Sequence, residues 1–198
     1  YDGDRFHPID LSIFTKSRIN SICGGKDGDI WAVSQNDGLV RLNADLEVKS
    51  FYKDFNGKLL YDAVWLGDRL LIASDEGLIT AKETEGKDFF DLNYVDGSPF
   101  SLTCLSRLTE NKVAIGTEDE GLFELRLESS EWIAEPTAEN FNLEYSKISD
   151  VSYDDSGNMW ISTLGSSLIQ LIPDDSGEYK RLINYGVDDQ LAENIHTS

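Results

Sequence analysis

The feature that most constrains this chain is a repeat of apolar positions. Reading from Ile19, apolar residues fall at Ile19, Ile22, Ile30, Ala32, Leu39 and Leu42. The same offsets from Leu102 give Leu102, Leu105, Val113, Ile115, Leu122 and Leu125. From Ile148 they give Ile148, Val151, Met159, Ile161, Leu168 and Leu171. Other offsets agree as well. Trp31 matches Trp160, a hydroxyl recurs at Ser34, Thr117 and Thr163, and Gly38-Leu39 matches Gly121-Leu122, becoming Ser167-Leu168 in the last copy. A shorter fourth copy reads Leu70, Ile72, Ser74 and Gly77-Leu78-Ile79. The copies begin near residues 19, 59, 102 and 148, a period of roughly 40–46 residues. A unit of that length cannot bury its apolar surface alone and must stack on its neighbours.

Within a copy the pattern is that of strands. Ile30-Trp31-Ala32-Val33 is a short run of branched and aromatic residues, apolar on both faces, as a strand between two packed sheets requires. Asp27-Gly28, Gly67-Asp68, Glu110-Asn111 and Ser156-Gly157-Asn158 sit where hairpin turns between the first two strands would fall. In the first copy the strands are placed near 19–24, 29–34, 38–43 and 47–52. Weaker outer strands are read at Val48-Lys49-Ser50-Phe51-Tyr52, Asp88-Phe89-Phe90-Asp91 and Tyr179-Lys180-Arg181-Leu182-Ile183. The most helix-like stretch, Thr137 to Tyr145, has too few apolar positions to be assigned as a helix. The predicted fold is therefore all-β: a β-propeller of about four blades, each of four antiparallel strands, filling residues 1–198. Ile13 and Phe14 read as the outer strand of a preceding blade, and Asn194-Ile195-His196 as the start of a following one. A larger ring is expected on that ground, with closure of this segment on itself as the alternative.

Residues 27–42, Asp-Gly-Asp-Ile-Trp-Ala-Val-Ser-Gln-Asn-Asp-Gly-Leu-Val-Arg-Leu, resemble the two-component regulator propeller repeat. Ser156-Gly157-Asn158-Met159-Trp160-Ile161-Ser162-Thr163 resembles the core of that repeat again, and Ala114-Ile115-Gly116-Thr117 with Gly121-Leu122-Phe123 is a third match. The second copy departs, since Leu70-Leu71-Ile72-Ala73-Ser74 lacks the Trp. Neither the Gly-His nor the Trp-Asp pair of WD40 repeats is present. The resemblance implies a periplasmic or otherwise extracytoplasmic sensor segment of a membrane-anchored bacterial signalling protein. The output domain of such a protein is commonly a histidine kinase or a diguanylate cyclase, and the sensed ligand is often an oligosaccharide. It also allows a homodimer formed through the parent protein. A protein-binding scaffold without a small ligand is the competing reading.

Composition narrows the partners. With 37 acidic and 17 basic residues the formal charge is −20, which repels nucleic acid and anionic membrane surfaces. No apolar run reaches the roughly 18 residues that a membrane helix needs, so the segment is not expected to be membrane-embedded. No signal peptide is visible at Tyr1-Asp2-Gly3-Asp4, and without an initiating Met the chain is expected to be a mature product or a cut piece.

No catalytic constellation is evident. His7 and His196 lack a nucleophile context, and the pairs Asp154-Asp155 and Asp174-Asp175 sit in turn-like settings. No metal site or cofactor is expected: Cys23 and Cys104 belong to no CxxC pair, Asp27-Gly28-Asp29 lacks EF-hand spacing, and Glu118-Asp119-Glu120 reads as exposed loop charge. The cysteines read as buried free thiols, with a mutual disulfide as the alternative.

Propeller geometry suggests where a ligand would sit. The loop after the second strand of a blade shares a face with the segment entering the next inner strand. That places Gln35-Asn36-Asp37, Asp75-Glu76, Glu118-Asp119-Glu120 and Gly165-Ser166 beside Arg18, Ser101, Lys147 and Asn194. The candidate binding residues are Arg18, Asp37, Asp75, Glu118 and Lys147, with Arg18 and Lys147 nearest the centre. Trp31, Trp65 and Trp160 are read as core, and Trp132 as a residue between repeats that a partner or a sugar ring could use.

Overall fold

The computed structural model describes residues 4, 5, 8–53, 55, 57–83, 90–128, 131–137, 141, 143, 147–164 and 168–186. Four four-stranded antiparallel sheets follow one another along the chain, each a meander. The first holds β1 (Ile19–Gly24), β2 (Ile30–Ser34), β3 (Gly38–Leu42) and β4 (Val48–Tyr52). The second holds β5 (Leu60–Leu66), β6 (Arg69–Ser74), β7 (Gly77–Glu83) and β8 (Phe90–Tyr94). The third holds β9 (Leu102–Arg107), β10 (Lys112–Thr117), β11 (Leu122–Glu128) and β12 (Glu131–Pro136). The fourth holds β13 (Ile148–Tyr153), β14 (Met159–Thr163), β15 (Leu168–Pro173) and β16 (Tyr179–Tyr185). The inner strands β1, β5, β9 and β13 lie side by side in sequence order, the arrangement of propeller blades around an axis.

The apolar repeat becomes three sheet-on-sheet cores. Trp31, Val33 and Leu39 of the first blade meet Leu60, Ala63, Leu70 and Ile72 of the second. Leu71, Ala73 and Leu78 of the second meet Leu102, Leu105, Val113 and Ile115 of the third. Cys104, Ala114 and Leu122 of the third meet Ile148, Val151, Met159 and Ile161 of the fourth. The recurring hydroxyl closes the loop between the second and third strands. Ser74 Oγ donates to Gly77 O at 2.6 Å and Thr117 Oγ1 donates to Gly121 O at 2.7 Å, both buried. Ser34 instead meets Thr15 Oγ1 at 2.6 Å. A short polar side chain that bonds its own backbone is a standard way to end a strand.

Several expectations are corrected. Ile22 is 68% exposed, although Ala63, Leu105 and Val151 at the same offset are buried. Those three pack against the preceding blade, and among the described residues no blade precedes β1. Ile13 and Phe14 lie in a turn rather than a strand, with Phe14 N–H bonded to Leu11 O and its ring edge-on to Phe51 at 5.6 Å. The second outer strand runs over Phe90–Tyr94, later than expected, and Asp88 and Phe89 fall outside the described residues. Trp132 is not between repeats. It lies on β12, half-buried against the core shared by the second and third blades, beneath the Arg69 guanidinium at 5.7 Å.

Trp160 and Trp65 are half-buried rather than fully enclosed. At these first hairpin turns, φ is positive at Asp27 and Gly28 (56° and 83°), Gly67 (60°) and Gly157 (78°), whereas Glu110-Asn111 turns without it. His7, His196, Gly165-Ser166, Asn194-Ile195 and most of 137–145 lie outside the described residues.

Candidate functional site

The four inner strands share one irregularity. The pairing register of β1 with β2 skips Asn20, that of β5 with β6 skips Tyr61, that of β9 with β10 skips Thr103, and that of β13 with β14 skips Ser149. Each is a β-bulge, in which two residues of one strand oppose one of its partner and the local side-chain direction changes. The bulge explains an oddity of the repeat. Apolar residues three apart, such as Ile148 and Val151, fall on opposite faces of a regular strand. Here they reach the same core. It also brings two consecutive residues of every inner strand to the cavity wall.

Those pairs line a cavity of about 680 Å³. Asn20, Tyr61, Thr103 and Ser149 form one level of its wall, and Ser21, Asp62, Cys104 and Asp150 form the next. The mouth carries Arg18, Gln35, Ser101, Glu118, Lys147 and Leu164.

Backbone hydrogen bonds fix the mouth. Gln35 N–H bonds Arg18 O at 2.9 Å, and Gln35 O accepts from Leu60 N–H of the next blade at 2.9 Å. Asp75 repeats this with Leu59 O at 3.2 Å and Ser101 N–H at 3.1 Å. Glu118 N–H then bonds Ser101 O at 3.0 Å, and Leu164 N–H bonds Lys147 O at 2.9 Å. Between the third and fourth blades, side chains make the join: Lys147 forms an ion pair with Glu118, and Thr103 Oγ1 donates to Ile148 O at 2.6 Å.

Most polar groups of the wall are engaged. Asn20 Nδ2 donates to Leu60 O at 2.7 Å, and Ser149 Oγ meets Ser162 Oγ at 2.9 Å. Asp62 accepts from Leu105 N–H at 2.7 Å and from Ala63 N–H at 2.8 Å, so it ties the second and third inner strands together. Burial pushes its carboxyl above the usual range; the nearby Ser21 hydroxyl and the Leu105 and Ala63 N–H groups oppose that shift, and the charge of Asp150 adds to it. Tyr61 breaks the pattern of its level. Its ring is half-buried against the neighbouring core and makes no bridge of the Asn20 or Thr103 kind. Its hydroxyl is pushed upward by burial and then by Asp75 and Glu118, with Lys147 in opposition. Both cysteines are free, and burial pushes each thiol up to about 12, so both stay protonated at neutral pH.

Of the five candidate residues, the fold brings three together: Arg18, Glu118 and Lys147 line the mouth. Asp37 and Asp75 do not line it. Asp37 accepts from Thr15 Oγ1 at 2.8 Å, Lys16 N–H at 3.0 Å and Ser17 N–H at 3.1 Å, which ties the segment before β1 to the loop after β2. Asp75 accepts from Leu59 N–H at 3.0 Å. The reading from sequence missed the inner levels, notably Tyr61, Asp62 and Asp150. The signal that would have found them is the odd three-residue apolar spacing.

The donors on Asp37 hold its carboxyl down at about 2, below its ordinary value of 3.8. A depressed carboxyl stabilises the fold above its unfolded pKa, and that contribution fades as pH falls through the folded value. The melting temperature of Asp37→Ala is therefore expected to lie below that of the parent at pH 7. The gap should close between about pH 4 and pH 2. A gap that persists unchanged at pH 2 would show that the carboxylate is not its source.

No protein-family model matches the chain, and no curated protein matches it in sequence. Solved structures do match. One is an extracellular domain described as that of hybrid two-component system BT4673 from B. thetaiotaomicron, at 18% identity and TM-score 0.60, over 85% of this chain and 21% of that one. Another is BamB from Moraxella catarrhalis, at 11% identity and TM-score 0.57, over 86% of this chain and 54% of that one. A third is the Cps50 (Swd1) β-propeller domain of Myceliophteria_thermophila, at 12% identity and TM-score 0.58, over 84% and 57%. The chain thus spans about a fifth of the first of these and just over half of the other two. At these identities the likeness is one of fold, and the fold is the all-β propeller.

Proposed function

We propose that this chain is the ligand-sensing propeller segment of a bacterial two-component signalling protein, extracytoplasmic and non-catalytic, with its ligand seated in the axial cavity. The observation that carries the reading is the cavity itself: bulged inner strands of four successive blades bring polar residues to line one space. A volume of about 680 Å³ suits a small ligand. The likeness to the BT4673 extracellular domain supports the sensor role, and the repeat resemblance supports it independently. Among the described residues no helix is long and apolar enough to cross a membrane. An oligosaccharide is the ligand that the resemblance implies.

Thermal melting against a library of oligosaccharides and other small polar molecules tests the proposal. A ligand at a hundredfold its Kd adds about 2.7 kcal/mol, which raises Tm by about 5–10 °C in a domain of this size. A flat response across the library would favour the scaffold reading.

A further inference from the structure

The charged groups lining the cavity are not equally available. Lys147 and Glu118 pair with each other, and Asp62 is half-buried and accepts from two backbone N–H groups. Two charges are left. The Arg18 side chain at the mouth is exposed and makes no hydrogen bond or ion pair among the described residues. Asp150 is also exposed. One of its oxygens accepts from Val151 N–H at 2.9 Å, and the other has no hydrogen-bond partner among the described residues. Arg18 immediately precedes β1, whereas Asp150 lies three residues in from Lys147, its counterpart at the mouth. With the bulge at Ser149, that stretch advances by about two partner residues, a rise of about 7 Å. The cavity therefore presents a positive group outside and a negative group farther in, with the Tyr61 ring on the wall between those levels.

We infer that the cavity selects a small zwitterion, a short peptide with free termini, over a neutral polyol. Its ammonium pairs with Asp150 and its carboxylate with Arg18, whose planar fork suits bidentate recognition of a carboxylate. An extended dipeptide spans about 7 Å, which matches that depth. Neutral sugar hydroxyls would leave both charges without a counter-ion. The inference depends on the reading that the axial cavity is the ligand site, and it replaces the oligosaccharide of that reading with a charged ligand class.

Calorimetric titration of the chain with dialanine, N-acetyl-dialanine, dialanine amide and maltose tests it. Dialanine is expected to bind, and blocking either terminus is expected to weaken binding at least tenfold. Arg18→Gln should abolish the preference for the free carboxylate, and Asp150→Asn the preference for the free amine. Both side chains are exposed, so circular dichroism should show both variants folded. Capped forms that bind as tightly as dialanine, or dialanine that fails to bind, overturn the inference. Maltose binding that is lost in Tyr61→Ala would overturn the zwitterion while upholding the cavity as the ligand site. If no probe binds in a manner sensitive to Arg18, Asp150 or Tyr61, both fall.

Discussion

Trp31→Ala is expected to cost about 3–5 kcal/mol of stability, whereas Trp160→Ala, at the same offset of the repeat, costs about 1–2 kcal/mol. Trp31 is fully buried between the first and second blades. Its indole stacks on Trp65 at 6.5 Å and 7°, approaches Tyr52 at 5.8 Å, and lies under the Arg41 guanidinium at 5.3 Å. Gly25 leaves room for it, since a Cβ there would stand 2.6 Å from the indole nitrogen. Removing the ring opens a cavity that strands on both sides cannot collapse to fill, and the cost of such a void adds to the lost transfer energy. Trp160 instead stands half-buried at the outward side of the fourth blade, stacked on Tyr185 at 5.7 Å and bonded through its N–H to Asp154 at 3.0 Å. Urea unfolding of the two variants separates the cases. Equal losses would mean that Trp160 is also enclosed by a neighbour in solution.

Gly38→Ala is expected to cost about 2–5 kcal/mol, and Gly77→Ala only about 1–2 kcal/mol. Both glycines open a third strand, and both have φ in the range that L side chains avoid, 103° and 115°. That conformational penalty of about 1–2 kcal/mol is common to the two. The difference lies in what approaches the missing side chain. A Cβ at Gly38 would fall 1.9 Å from the Tyr52 carbonyl oxygen, so the end of β4 must move. At Gly77 the nearest atom is the Ser98 hydroxyl at 2.9 Å, which a rotamer change can relieve. Overpacking that displaces backbone adds about 1–3 kcal/mol. Thermal unfolding of both variants measures the contrast, and equal shifts would mean that only φ matters.

These two pairs also show how much of the molecule could be read from its sequence. The blade boundaries could, because every inter-blade core draws on the same offsets, and apolar periodicity survives in the residues themselves. Strands β1 to β4 fall within a residue or so of where the pattern put them. The surroundings of an offset could not be read. Ile22 and Val151 are equivalent as letters, and only one has a sheet lying against it. The site divided in the same way. Arg18, Glu118 and Lys147 were placed by topology, which fixes which loops share a face. Asp37 and Asp75 share that face but turn aside to cap backbone N–H groups, a choice of side-chain direction that loop position does not encode. The inner levels depended on the bulges, visible only as an apolar spacing of three where a strand should show two.

The chain of peptide hydrogen bonds around the mouth has a consequence for how such a site can change. From Arg18 O through Gln35, Leu60, Asp75 and Ser101 to Glu118, the aperture is set by main-chain atoms. The side chains of Arg18, Gln35 and Ser101 hang from that hoop without holding it together. Aperture and chemistry are thereby inherited separately. A substitution of Arg18, Gln35 or Ser101 rewrites what the opening attracts without removing any of those main-chain bonds. Selection can then explore ligands here without drawing on the stability reserve that limits most binding sites.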